Sequence, residues 1–133
     1  MASPVSKTAL WSGYVLSAIP SLMILFGSVL KFMRVPSVIE GFQRSGMPER
    51  LILTVALTEL TCVVVHLIPK TSVLGAILMT GLLGGATITS LRIGDPTFPM
   101  PVIFGMMAWG GLFLRDTRLR ALIPLRMAES ETN

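Results

Sequence analysis

Residues 72–96, SVLGAILMTGLLGGATITSLRIGDP, carry no charged side chain before Arg92. A helix rises about 1.5 Å per residue and the hydrocarbon core of a bilayer is about 30 Å thick, so this stretch predicts a helix that crosses a membrane. Gly81 and Gly85 sit four apart with Gly84 between them, which leaves one helix face without side-chain bulk. In lipid, helices associate by close van der Waals contact, and small residues permit it. The spacing therefore predicts that Gly81 and Gly85 pack against a neighbouring helix. The expected partner is the first span through Gly13, Ser17 and Ser21, or the fourth through Gly105. Gly75, in the first helical turn, is expected to matter less. On this reading 72–96 is the central helix of a bundle. Its far end turns polar, with Thr87, Thr89 and Ser90 leading into Arg92, Gly94 and Asp95.

Three further apolar blocks frame it. Together they predict spans at about 8–31, 49–68, 72–92 and 98–114, with a polar tail over 115–133. Charged residues are 14% of the chain, against about 25% in soluble domains. The 133 residues leave room for one domain. The predicted fold is all-α: an integral membrane four-helix bundle with a short amphipathic segment between helices one and two. That segment is read from Val35, Ile39 and Phe42 at helical spacing, with Pro36 suited to a first helical turn and Gly46 to a C-terminal cap. It is expected to lie at the membrane interface or to fold back over the bundle. The first apolar run is longer than a signal-peptide core and is read as a retained span. The last residues, including Glu129 and Glu131, are expected to be disordered.

The net charge of +4 would suggest nucleic acid on a soluble protein. Here the cations fall at the ends of the apolar blocks, where they meet lipid head groups. No basic stripe with interleaved aromatics occurs, so nucleic acid is not expected as a partner. With four spans, one side carries Lys7, Lys70, Arg115, Arg118, Arg120 and Arg126, and the other Lys31, Arg34, Arg44, Arg50 and Arg92. The basic C-terminal segment favours cytoplasmic termini. There is no phosphate-binding GxxxxGK[ST] loop, no CxxC and no HExxH, which argues against nucleotide hydrolysis and structural zinc.

One acidic residue stands out. Glu59 falls near the middle of the second span, where a carboxylate costs about 2.5–3.5 kcal/mol to insert. It must be paired, protonated or turned into the bundle. Cys62 and His66 share its helix face, but two ligands of different softness on one helix do not make a metal site, and none is predicted. Glu59, Arg92, Thr89 and Asp95 are the candidates for ligand binding or proton relay. Arg92 lies about 15 Å further along its helix than Glu59 does along its own. It is therefore expected to pair with Asp95, Glu40 or Glu49 instead. No catalytic residue can be named.

Several stretches resemble the DoxX-like family of small four-span membrane proteins. They are Val38-Ile39-Glu40-Gly41-Phe42, Gly46-Met47-Pro48-Glu49, Thr58-Glu59-Leu60 and Leu67-Ile68-Pro69-Lys70-Thr71. Gly84-Gly85-Ala86 through Leu91-Arg92-Ile93-Gly94-Asp95-Pro96 is the most specific part. Trp109-Gly110-Gly111-Leu112, Leu114-Arg115-Asp116 and Leu119-Arg120-Ala121-Leu122-Ile123-Pro124 complete it. The resemblance implies a four-helix membrane fold and, with the short loops, a bacterial inner membrane. Wider relatives are associated with quinone-linked sulfur oxidation and membrane redox complexes, which makes quinone the candidate cofactor. Similar sequences carry a Thr-His pair where this chain has Thr89-Ser90. The function expected is that of a non-catalytic subunit or accessory of a redox-linked membrane complex. Its partners would be the bilayer and either a redox complex or further copies of itself. The alternatives are a quinone- or lipid-linked oxidoreductase component and a carrier of a small hydrophobic molecule.

Overall fold

The computed structural model describes residues 5–123. They form α1 (Lys7–Met33), α2 (Pro36–Arg44), α3 (Leu51–Leu67), α4 (Ser72–Arg92), α5 (Pro99–Arg115) and α6 (Thr117–Arg120), with a 3₁₀ turn over Pro69–Thr71 between α3 and α4. No strand occurs among the described residues. The expectation about Glu129 and Glu131 lies outside them.

Local chemistry sets most helix ends. Ser6 accepts from the Ala9 N–H at 3.2 Å and caps α1, satisfying one of the donors a helix start leaves orphaned. Arg34 ends α1 in the left-handed region at φ 51°. Pro36 then opens α2, where its missing N–H costs nothing. Gly46 follows α2 at φ 70°, and Gly94 follows α4 at φ 71°; both suit a residue without Cβ. Extended Ile68 before Pro69 stops α3. The Thr71 hydroxyl donates to Val65 O at 2.8 Å and ties the turn down.

α1, α3, α4 and α5 form an up-and-down bundle in which each packs against two others, in the cyclic order α1, α3, α4, α5. No helix is central, so the expectation that α4 sits in the middle is corrected. The broadest contact joins α1 to α5. Ile24, Cys62, Val63, Met79, Leu83 and Ala108 form one core cluster. Ala76, Leu112 and Leu119 form a second. Leu119 belongs to α6, so the start of the expected polar tail is folded onto the bundle.

The glycine expectation is reversed. A Cβ built on Gly81, Gly84 or Gly85 would meet nothing within 4 Å, so these glycines do not pack against another helix of the chain. Contact is tight elsewhere. A Cβ on Gly75 would strike the His66 backbone and lie 2.7 Å from the His66 Cβ. One on Gly111 would lie 2.6 Å from Gly13 O, and one on Gly13 2.7 Å from Gly111 O. The small face of α1 does pack, but against α5.

The exterior of the bundle is apolar, and α1 turns mostly small and polar residues inward. α1 buries Gly13, Ser17, Pro20, Ser21, Ile24 and Ser28, while Trp11 is 72% exposed and Phe26 60%. Leu22, Met23, Val29 and Phe32 are exposed beside them. A soluble helix distributes these residue types the other way round. Buried hydroxyls satisfy themselves on carbonyls: Ser21 on Ser17 O at 2.7 Å and Ser28 on Ala56 O at 2.7 Å. Lys7–Met33 and the run Pro69–Arg92 are long and apolar enough to cross a bilayer, and α3 is a shorter apolar helix of 17 residues.

Candidate functional site

The open face of Gly81 and Gly85 is one wall of a lateral cavity of about 600 Å³. α1 contributes Ile24 and Lys31, α3 contributes Val55 and Glu59, and α4 adds Leu82, Leu83, Ala86, Thr89 and Ser90. α2 folds across one end with Val38, Gly41, buried Phe42 and the cation Arg44, followed by Ser45 and Met47. Ile93 and Asp95 of the α4–α5 connection complete the rim. The amphipathic segment thus lies over one end of the bundle. The glycines of α4 thus make room.

Most of this wall is hydrocarbon, and its one ion pair is Lys31 with Glu59. Lys31 Nζ donates to Glu59 Oε1 at 2.9 Å, with the two side chains 18% and 14% exposed. Sequence reasoning missed Lys31 and read it as the cationic end of a span. The Ser28–Ala56 contact sets the antiparallel register of α1 on α3. By that register Lys31 starts roughly 9 Å from the level of Glu59. Its side chain covers the distance by running back along its own helix, where Nζ lies 3.5 Å from Gly27 O. Side chains on a helix lean towards its N-terminus, so a lysine in the last turn of α1 points into the bundle's depth. That lean was the available signal.

Glu59 keeps an unused acceptor. Oε2 is buried with no hydrogen-bond partner. The terminal carboxylate torsion is soft and roughly two-fold, so a half-turn of about 180° would exchange the oxygen that faces Lys31. A buried acceptor left unpaired costs about 1–3 kcal/mol, and a donor brought by a ligand would recover part of it.

The other sequence candidates divide. Thr89 and Asp95 line the cavity. Thr89 donates its hydroxyl to Gly85 O at 2.8 Å, which leaves its oxygen free to accept. Asp95 accepts from the Thr97 N–H at 2.9 Å and the Thr97 hydroxyl at 2.7 Å. These bonds, with a lesser contribution from the Arg44 charge, hold its carboxyl below the usual range. Arg92 makes none of the carboxylate pairings expected of it among the described residues. Its guanidinium donates to the Ser45 carbonyl at the C-terminus of α2 and so fastens α2 across the bundle. Glu49 instead accepts from the Gln43 side chain at 3.2 Å.

His66 is buried away from this cavity. Its Nδ1 lies 3.0 Å from Ser72 O, so that nitrogen donates, and Nε2 is enclosed without a partner. Ser72 returns the link by donating to His66 O at 2.8 Å. The histidine therefore locks the α3–α4 turn, and Gly75 is what lets α4 pass over it.

Comparison with curated proteins returns no match, and comparison with solved structures returns none either. A sequence model described as the DoxX-like family matches residues 15–111, which takes in α1 from Val15 through most of α5. That match, on a chain with an apolar exterior and two helices of membrane-crossing length, makes this a membrane protein that belongs to the DoxX-like family.

Proposed function

We propose that this protein crosses the membrane four times and holds a small amphiphile in its lateral cavity without covalent chemistry, as a non-catalytic component of a redox-linked membrane system. The observation that carries the reading is the Lys31–Glu59 pair set in a mostly apolar wall, with Glu59 Oε2 unsatisfied. Ion pairs in apolar surroundings are weak contributors to stability, because desolvation offsets most of the attraction. Ionisable groups at membrane depth are a default functional hypothesis. Here an ammonium donates and a carboxylate accepts, side by side. That pair suits a head carrying both a hydroxyl and a carbonyl or ether oxygen, on an apolar ring or chain that fills the space beside Gly81 and Gly85. A quinol fits this description.

The membrane is proposed to be a bacterial inner membrane. Cytoplasmic termini are part of the proposal, because the basic segment Arg115, Arg118, Arg120 and Arg126 follows the fourth span in the sequence. The test is titration of purified protein in mild detergent with decylubiquinol, read by thermal shift. The parent should be stabilised in a saturable way, and Glu59→Gln should bind at least tenfold more weakly, since a charge-assisted hydrogen bond becomes a neutral one. Equal binding by the two proteins, or no response from the parent, would overturn the reading.

A further inference from the structure

The opposite end of the bundle carries a second cleft that the proposed function does not use. It has a volume of about 610 Å³ and lies between the Pro69–Thr71 turn and the junction of α5 with α6. Lys70, Arg115 and Arg118 line it, against the single carboxylate of Asp116. That carboxylate is already engaged, since Oδ1 accepts from the backbone N–H of Arg118 at 2.9 Å and of Leu119 at 3.4 Å.

The three cations are not equivalent. Arg115 is half-buried and held in place. It donates to Ser17 Oγ at 2.8 Å and Gly111 O at 3.2 Å and stacks 4.8 Å over the Tyr14 ring. A guanidinium has five N–H donors, so donors remain for the cleft. Lys70 and Arg118 are exposed, and the one ion pair among the described residues is Lys31 with Glu59. Two exposed cations thus face a fixed third across a space large enough for a polar head group. The start of α4 adds to the field. Ser72 spends its hydroxyl on the carbonyls of His66 and Ile68 instead of capping its own helix, and no side chain caps α4. Its first-turn N–H groups lie beside Val73, a further lining residue, at the positive end of the helix dipole.

We propose that this cleft binds a phosphate group, and that in a bilayer the phosphate is the head of an anionic phospholipid. Three cations to one engaged carboxylate select an anion, and arginine with lysine is the usual donor set for phosphate. The surroundings favour a lipid as its source. Trp11 and Tyr14, exposed at the same end, mark head-group depth. Leu67, Ile68 and Leu74 are exposed around the turn and give acyl chains a path down the bundle. Basic pockets between membrane helices are recognised seats for anionic head groups. The α5–α6 wall lies beyond residue 111, where the family match ends.

The experiment uses the full chain, delipidated in detergent, and leaves Arg115 untouched because it joins α1 to α5. Native mass spectrometry compares retention of phosphatidylglycerol with phosphatidylethanolamine of the same chains. A parallel thermal shift uses inorganic phosphate alone. The parent should retain phosphatidylglycerol at least fivefold over phosphatidylethanolamine. Lys70→Gln with Arg118→Gln should lose that preference while its lipid-free melting temperature stays within about 2 °C. Lys70→Arg should keep the preference, and this single exchange also serves if the double variant folds poorly. A saturable response to inorganic phosphate that the double variant loses, without lipid preference, would support the phosphate site and assign it a soluble ligand. Retention of equal amounts of both lipids with no phosphate response, or a double variant indistinguishable from the parent, would overturn the proposal.

Discussion

The two ends of this bundle use glycine for opposite purposes. Near the termini, Gly13 faces Gly111 across α1 and α5, and Gly75 lies against the His66 backbone. A side chain there has nowhere to go. Towards the other end, Gly81 and Gly85 face a cavity, and a Cβ on either meets nothing within 4 Å. The first set brings backbones together, and the second keeps them apart from anything at all. One end therefore holds the fold and the other holds space beside an ion pair. A run of small residues on a helix identifies a face, but the residue opposite decides whether that face is an interface or a vacancy.

The largest expected effect breaks the terminal end. Gly75→Leu would drive a side chain into the His66 main chain, which cannot yield without parting α3 from α4. Overpacking of a well-packed site costs about 1–3 kcal/mol and occasionally more, and a clash with backbone belongs at the upper end. Gly75→Leu should express poorly or melt at least 10 °C below the parent in detergent. A melting temperature within about 2 °C of the parent would show that the end is not tightly packed.

A smaller effect concerns the pair inside the cavity. Glu59→Ala leaves the Lys31 ammonium without its counterion. Losing one partner of a fully buried pair costs about 3–5 kcal/mol; with both side chains partly exposed, about 2–3 kcal/mol is expected. Lys31→Met combined with Glu59→Leu removes both charges and should recover most of that loss. Denaturation of the three proteins in one detergent measures the difference. A double variant no more stable than Glu59→Ala would mean that the pair itself, not the avoidance of an orphan charge, supports the fold.

The smallest effect lies at the cavity rim. Thr97 holds the Asp95 carboxyl below its usual range, so Asp95 binds its proton less readily folded than unfolded. Its contribution is fully present above the unfolded value of about 3.9 and is lost as pH falls through the lower folded value. The Thr97 amide resonance, followed in micelles as pH is lowered, should shift with a midpoint below that of a free aspartate. Asp95→Asn should abolish the shift. A midpoint at or above 3.9 would contradict the geometry.

Much of the helix arrangement was legible because the punctuation is local. Pro36 opens a helix for reasons that need no tertiary knowledge, and Gly46 sits where the chain needs positive φ. The apolar exterior was legible as a shortage of charge. Glu59 was legible as a cost that something must meet. Its partner was not, because Lys31 belongs to another helix and its reach depends on side-chain direction and on the register of α1 against α3. Arg92 was misplaced for a related reason. Its partner is a main-chain carbonyl at Ser45, and a sequence shows carboxylates far more readily than it shows which carbonyls a helix end leaves open. The glycines of α4 were assigned the wrong role because i, i+4 spacing is the same for a face that meets a helix and one that borders a cavity.

The account rests on the space beside Gly81 and Gly85 being a binding site separate from the packing that holds the bundle. Gly85→Leu tests this most directly, with decylubiquinol binding and the melting temperature of the ligand-free protein measured on one preparation. The account predicts that the variant melts within about 2 °C of the parent, because its new side chain enters open space, and that it no longer responds to decylubiquinol. A variant that unfolds, or one that binds decylubiquinol as tightly as the parent does, would contradict it.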